Sequence, residues 1–369
     1  MKRCQLSDLV IPVNTWNPGK SDPEESFQYI DLSAVDQETK SIVGARNVGC
    51  SDAPSRARQL VKAGDILVST VRPNLNGVAK VPDGLNGATA STGFCVVRPK
   101  PELLDGSYLF HWVKSDEFIG EMVKEATGAS YPAVSDRIVL ASRIPLSPLP
   151  EQRRIAAILD QADALRAKRR ETLALLDELQ RGIFIEMFGD PLNNPKNWPV
   201  QTLENFFSFR TGKLDSNAAV AKGEYPFFTC AKEDLWIDTY AFDCEALLLA
   251  GNNASADYSV KHFKGRFNAY QRTYVITLKS KENSYKYSAF FLEHHLAELK
   301  RMSKGSSTKY LTLGLLNKIS IPIPPQSMQR KFEQQIEMIE HEKGVHLASQ
   351  RELDSLFVSL QHRAFRGEL

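Results

Sequence analysis

The sequence predicts an α+β fold: two mixed α/β domains separated by a pair of long antiparallel, coiled-coil-like helices, with a pseudo-twofold internal repeat. Three observations predict it. Residues 144–190 (IPLSPLPEQRRIAAILDQADALRAKRRETLALLDELQRGIFIEMFGD) return as a weaker copy at 321–369. Each copy closes a stretch in which strand and helix patterns come in the same order. A chain of 369 residues, 42% hydrophobic and 24% charged, is long enough for two ordinary globular cores.

Taken in order, 64–70 (GDILVST) and 94–99 (FCVVRP) read as buried strands, and 108–123 (YLFHWVKSDEFIGEMV) as a helix with apolar residues at helical spacing. The small-residue loop 126–135 follows. Pro148 and Pro150 then lead into a helix over 151–188, about 57 Å long if unbroken. Its apolar seam runs through Ile155, Ile158, Ala162 and Leu165, is interrupted by Arg169 and Thr172, and resumes at Leu176, Leu179 and Ile183. The second half repeats the order: strands at 244–251 (CEALLLAG) and 273–279 (TYVITLK), a helix at 288–302, a small-residue loop at 303–314, then Pro322, Pro324 and Pro325 before the last helix. That helix carries a seam of Phe332, Ile336, Ile339, polar Lys343, His346 and Gln350, then Leu353, Phe357, Leu360 and Ala364.

Ile144 and Ile321, Pro145 and Pro322, Gln152 and Gln329, and Gly128 and Gly305 all stand 177 positions apart. Farther along, Arg170-Glu171 matches Arg351-Glu352 and Leu179-Gln180 matches Leu360-Gln361 at 181. The second helix therefore carries four extra residues, a stutter that locally unwinds a coiled coil. Two similar helices, each closing a similar domain, favour packing of one against the other.

Composition excludes several classes. No stretch approaches the roughly 20 apolar residues of a membrane span, and the opening MKRCQLSDLVIPVN lacks a signal-peptide core, which points to the cytoplasm. Five scattered cysteines without CxxC spacing read as reduced thiols. The seven histidines lack ligand spacing, so no metal is expected. No GxxxxGK[ST] phosphate loop occurs: Gly212-Lys213 is followed by Leu214 and lacks the preceding glycine. A self-contained adenine methyltransferase needs a Gly-rich cofactor turn and an Asn-Pro-Pro-aromatic motif, whereas Asn193-Asn194-Pro195-Lys196 has the wrong residue after the proline and reads as a linker. No carboxylate set resembles a nuclease site. No catalytic residue is expected.

The net charge of +2 conceals an uneven distribution. Between 258 and 281 stand Lys261, Lys264, Arg266, Arg272, Lys279 and Lys281 without an acid; 299–331 is likewise acid-free. Interleaved with Tyr, Asn, Gln, Ser and Gly, such runs suit phosphate and base-edge contacts. Major-groove reading needs paired donors and acceptors, Arg for guanine and Asn or Gln for adenine. In the first domain the candidates are Arg56, Arg58, Arg72, Asn74 and Asn76, with Lys80 on phosphate and a loop of Thr127, Ser130 and Tyr131 beside a glycine. In the second they are Asn252, Asn253, Lys261, Lys264, Arg266, Tyr270, Gln271, and the loop residues Lys304, Ser306, Ser307, Lys309 and Tyr310.

The segment IPLSPLPEQRRIAAILDQADALRAKRRETL, the junction from Phe188 to Trp198, FQYIDLSAVDQETKSI near the start and the AFRGEL ending resemble the specificity subunit of type I restriction-modification systems. The resemblance covers essentially the whole chain and is most specific over the first helical repeat. It implies a target recognition domain at 1–147, a helical spacer at 148–190, a second target recognition domain at 191–324 and a second spacer at 325–369. It further implies recognition of a two-part, asymmetric double-stranded DNA target with an unspecific gap. Two methyltransferase subunits would dock on the chain, with restriction/translocase subunits joining the complex and no membrane involved. No cofactor is expected on this chain, since S-adenosylmethionine belongs to the partner methyltransferase. The family resembles an address label without chemistry of its own. A coiled-coil adaptor that joins proteins without reading DNA is the alternative; it leaves the two repeated mixed domains with their basic runs unexplained. The second helix departs from the family pattern at Gln326-Ser327-Met328 and at Gly344.

Overall fold

The computed structural model describes residues 1–231, 233–253, 258–303 and 309–369, without the side chains of Asn253, Met302 and Lys309. The chain divides into two compact units, one of residues 1–171 with 348–369, the other of 172–347. Both are mixed α/β. Each of the two long helices, Leu149–Phe188 and Gln326–Arg366, contributes one half to each unit.

In the first unit, one four-stranded sheet sets Phe94–Pro99 between Val10–Ile11 and Ile66–Ser69, with Val78–Lys80 at the edge. A second sheet carries Ala57–Leu60 and Thr89–Ser91 beside Ser26–Ile30. The strands expected at 64–70 and 94–99 are present, as Ile66–Ser69 and Phe94–Pro99, and mostly buried, as their continuous apolar runs require. The expected single helix over 108–123 is instead two, Gly106–Val113 and Asp116–Glu125. Ser115 breaks it: its hydroxyl accepts the Phe118 N–H at 3.3 Å, and Asp116 and Glu117 fill the new first turn, an N-cap signature in the middle of an apolar pattern.

The second unit holds a six-stranded sheet in which Phe242–Ala250 lies between Thr273–Leu278 and Val260–Ala269. Its domain helix is Tyr285–Met302, capped by Ser284, whose hydroxyl accepts the Tyr287 N–H.

The repeat is also visible in how each unit closes. A short antiparallel pair, Lys2–Gln5 with Arg143–Leu146 in one unit and Val200–Thr202 with Ser320–Pro322 in the other, buries Ile144 and Ile321 completely. The Tyr108 hydroxyl donates to the Pro145 carbonyl at 2.7 Å, and the Tyr287 hydroxyl donates to that of Pro322 at 2.9 Å. Each long helix then starts over a buried glutamine, Gln152 or Gln329.

Within each unit the two helix halves run antiparallel. In the first, Ile155, Leu159 and Ala162 share a core with Phe357, Ala364 and Phe365, and Arg166 reaches Asp354 at 2.6 Å. Phe365 packs edge-on to Tyr108 and Trp112. In the second, Phe184 and Phe188 meet Phe332, Lys343 pairs with Asp177, and Phe184 stacks on Tyr287. The seam expected on the second helix is buried or half-buried at every named position. On the first helix Ile155 and Ala162 are buried and Ile158, Leu176 and Ile183 half-buried as expected, but Leu165 and Leu179 are half exposed and the neighbouring Arg166 and Gln180 turn inward instead. An apolar-only reading missed these two because Arg166 is satisfied by Asp163 and Asp354, and Gln180 accepts from Lys343. Among the described residues no helix is long and apolar enough to cross a membrane.

Candidate nucleic-acid interface

In the first unit the core strand Ile66–Ser69 runs out into Arg72, and this end is fastened to the loop after the domain helices. Val71 bridges Ala133, the Arg72 N–H donates to the Pro132 carbonyl at 2.7 Å and the Val134 N–H donates to that of Thr70 at 2.8 Å. The loop turns at Gly128, with φ +105°, where an added Cβ would stand 3.0 Å from the Tyr131 carbonyl oxygen, so only glycine fits without strain. The Arg72 guanidinium lies over the Tyr131 ring, 4.5 Å from its centroid, and Tyr131 is 68% exposed. Arg72, Asn74, Thr127, Ser130 and Tyr131 are thus presented by two fastened loops, all exposed.

The remaining candidates of this unit are placed differently. The Thr92 N–H donates to Arg56 and the Thr70 N–H to Gly93, which links exposed Arg56 to the same end. Arg58 is half-buried and donates to the neighbouring Ala57 carbonyl. Asn76 adopts a left-handed conformation (φ 47°), its amide donating to the Lys114 carbonyl and its own carbonyl accepting from the Lys40 ammonium at 2.6 Å. Its role there is to shape the turn. Burial, with a contribution from Lys114, lowers the Lys40 pKa to about 8. Lys80 points to Ser107 at 3.3 Å, and its charge helps to lower the pKa of Asp160 on the long helix, away from the Arg72 loop.

The second unit repeats the fastening. After Phe242–Ala250, Asn252 pairs with Tyr310 and Asn253 with Lys309 in an antiparallel register. The Leu311 N–H donates to the Gly251 carbonyl at 2.9 Å, and the Gly251 N–H to the Arg272 carbonyl at 2.7 Å. A Cβ at position 251 would stand 2.4 Å from that same Arg272 oxygen, so glycine is required by the close approach. Asn252 is engaged inward, its side-chain oxygen accepting from the Cys230 thiol. Tyr270 and Gln271 form the turn before the strand Thr273–Leu278, with Gln271 donating to Asp215 at 3.3 Å.

Three of the six cations of the acid-free run 258–281 meet carboxylates. Val260–Ala269 pairs with Phe242–Ala250 so that Lys264 faces Glu245 and Arg266 faces Asp243; the charges meet at 3.2 and 3.1 Å. Lys261 pairs with Asp234 at 2.6 Å. The carboxylates come from segments distant in sequence, invisible to a composition window. Lys304, Ser306 and Ser307 lie outside the described residues, and of Asn253 and Lys309 only the backbone is described.

Sequence reasoning passed over Arg272 as a site residue. Its guanidinium lies 5.5 Å from the Tyr310 ring centroid, and no carboxylate lies within ion-pair distance among the described residues. The strand Val260–Ala269, whose pairing gives Asp243 and Glu245 to Arg266 and Lys264, is not among the strands expected from the sequence.

Near the first long helix a second set of charged groups is internal. His111 is fully buried, and its Nε2–H donates to Asp160 at 2.7 Å; burial lowers its pKa, against the Asp160 hydrogen bond that raises it. Lys114, also lowered by burial, pairs with Asp163. These groups fix the helix to the domain.

Each of the two units offers fastened surface loops with an arginine over a tyrosine. The chain belongs to the type I restriction modification DNA specificity domain family, whose model matches residues 56–175 and again 195–338. It is 37% identical over 145 residues to the type I restriction enzyme EcoDI specificity subunit of Escherichia coli, covering 39% of this chain and 32% of that protein. It is 24% identical over 210 residues to the HindI specificity subunit of Haemophilus influenzae, covering 54% and 45%. These matches span less than half the length of either relative. To the MjaIX specificity subunit of Methanocaldococcus jannaschii it is 22% identical over 344 residues, 83% of this chain and 76% of that one. Among solved structures, one from a study of complex assembly and conformational transition of the type I R-M system matches with TM-score 0.57 and 25% identity over 100% of this chain and 98% of that one. The type I S subunit of M. genitalium shares the fold, with TM-score 0.60 and 17% identity over 99% and 96%.

Proposed function

We propose that this chain is the sequence-reading subunit of a type I restriction-modification complex. Residues 1–147 and 191–324 act as target recognition domains, each reading one part of a two-part, asymmetric double-stranded DNA target. The helical segments 148–190 and 325–369 set the unspecific gap and dock two methyltransferase subunits. Those subunits carry S-adenosylmethionine, restriction/translocase subunits join the complex, and this chain performs no chemistry in the cytoplasm where it acts. The observation that carries the reading is the repeated fastening of an exposed arginine-tyrosine loop to the end of a core strand, at Arg72 and Tyr131 and again at Arg272 and Tyr310.

The test is sequencing of methylated DNA from cells with and without this gene, its methyltransferase partner being expressed in both. The expected result is a methylated adenine in a two-part motif that disappears with the gene. Unchanged methylation would overturn the reading. DNA association of the assembled complex that is absent or insensitive to salt would favour a protein adaptor instead.

A further inference from the structure

We propose that Arg272 is a base-reading, specificity-determining residue of the second unit, the counterpart of Arg72 in the first, and that Tyr310 is its positioning residue. The inference rests on the DNA-reading function above and assigns a residue within it.

Topology makes the tyrosines equivalent. Tyr131 and Tyr310 stand 179 positions apart, the separation that also relates the helix-capping Asp105 to Ser284 and the buried Tyr108 to Tyr287. Each tyrosine lies on the loop that pairs with the end of its unit's core strand. The arginines are supplied from opposite sides of that junction: Arg72 leaves the core strand Ile66–Ser69, whereas Arg272 precedes the neighbouring strand Thr273–Leu278. Both guanidinium groups nevertheless arrive over the ring.

Arg272 is one of the cations of its run that hold no carboxylate among the described residues. Lys261, Lys264 and Arg266 each hold a carboxylate, from Asp234, Glu245 and Asp243. Arg272 is exposed and, among the described residues, faces a neutral aromatic surface. A hydrogen bond to the Tyr310 hydroxyl raises the Arg272 pKa and orients the guanidinium, whose remaining N–H groups form a fork suited to the paired O6 and N7 acceptors of guanine. The backbone beneath is fixed, since the Gly251 N–H donates to the Arg272 carbonyl and glycine at 251 permits the approach. A fork held in one orientation loses little freedom on binding, as discrimination between bases requires.

The test uses the full chain assembled with its methyltransferase subunits, the duplex methylated in cells as target, and a panel of duplexes each changed at one base pair. Arg272→Ala is expected to weaken binding to the target by about 10- to 100-fold and to abolish discrimination at a single base pair in one half-site. Arg272→Lys, which keeps the charge without the fork, is expected to leave that discrimination lost. Tyr310→Phe keeps the ring but loses the hydroxyl that holds Arg272 and should relax the same base pair in part, whereas Tyr310→Leu should relax it fully. Full discrimination by Arg272→Lys, or a uniform loss across the panel with a salt slope flattened by about one, would make Arg272 a phosphate contact and overturn the assignment. An unaffected Arg272→Ala would overturn it too. Arg272 is exposed, so thermal melting of each variant complex at the wild-type temperature separates these results from misfolding. A wild-type complex that binds every duplex alike would instead refute the DNA-reading function itself.

Discussion

Gln152 and Gln329, 177 residues apart, do the same work: each side-chain oxygen accepts the backbone N–H of the residue that caps its unit's domain helix, Asp105 at 2.9 Å and Ser284 at 2.8 Å. Each amide also donates to backbone carbonyls ahead of its own long helix, Leu103 and Ser147 for Gln152, Pro324 for Gln329. One side chain thereby ties the start of a long helix to the start of a domain helix. Replacing either glutamine by alanine strands buried backbone groups, each costing about 1–3 kcal/mol. Gln152→Ala and Gln329→Ala should each lower stability by about 2–4 kcal/mol, measured as urea unfolding of the purified chain. A Glu replacement, which keeps the acceptor and loses the donor, should not rescue.

Gly182 and Gly344 sit inside the long helices, exposed, with nothing within 4 Å of an added Cβ. Helix propensity alone then decides the effect of substitution. Gly182→Ala and Gly344→Ala should each stabilise by about 0.5–1 kcal/mol, seen as a raised melting temperature. Gly344, a departure from the family pattern in sequence, has no packing reason in the fold.

His111 gives the first unit an acid-side weakness. A histidine whose pKa is lowered on folding contributes stability that is full above its unfolded value of about 6.5 and is lost as the pH falls from there toward the folded value. Burial lowers His111, with Lys114 adding to the effect, and His262 and His295 in the second unit are lowered by burial as well. The urea midpoint should therefore hold at pH 7–8 and fall below about pH 6.5. His111→Gln, whose amide can still donate to Asp160, should flatten the first unit's share of that fall.

Cations with and without a carboxylate partner should differ in effect. Arg72 lies over a tyrosine ring and no carboxylate is within ion-pair distance among the described residues, while Arg266 already holds Asp243. Arg72→Ala should weaken specific binding by about 1–3 kcal/mol and relax one base pair. Arg266→Ala should cost less, because its guanidinium is already engaged by Asp243 and is less available to the duplex. Titrating target duplex against the two variant complexes compares them directly.

On the proposed function the helices set the gap between half-sites. A heptad added to each, between Arg166 and Thr172 and between Lys343 and Gln350, adds about 10.5 Å and should lengthen the gap by about three base pairs. Methylome sequencing reads the change, and an unaltered gap would show that the helices do not measure it.

Much of the fold was legible because the repeat supplied two copies of every signal. Ile144 and Ile321, or Gln152 and Gln329, look unremarkable singly and informative as pairs. What stayed hidden depended on residues far apart in sequence. The seam of the first helix includes Arg166 and Gln180 because Asp354 and Lys343 come from the other helix to meet them. The break at Ser115 was written locally, in Ser-Asp-Glu, but the apolar spacing on either side concealed it. At the candidate interface the same limit applied. The loops around Gly128 and Tyr131 could be found from small residues, whereas the neutralisation of Lys264 and Arg266 by the neighbouring strand could not be read from a run of basic letters.

The division of each long helix between units has a consequence for biosynthesis. The second unit, residues 172–347, owns all its segments once position 347 has left the ribosome. The first begins earlier yet needs Phe357, Ala364 and Phe365 from the last turns to complete its core. Domains usually finish in the order in which they are translated. Here the first unit can complete its core only after the segments of the second have been made, because Phe365 is what packs on Tyr108 and Trp112.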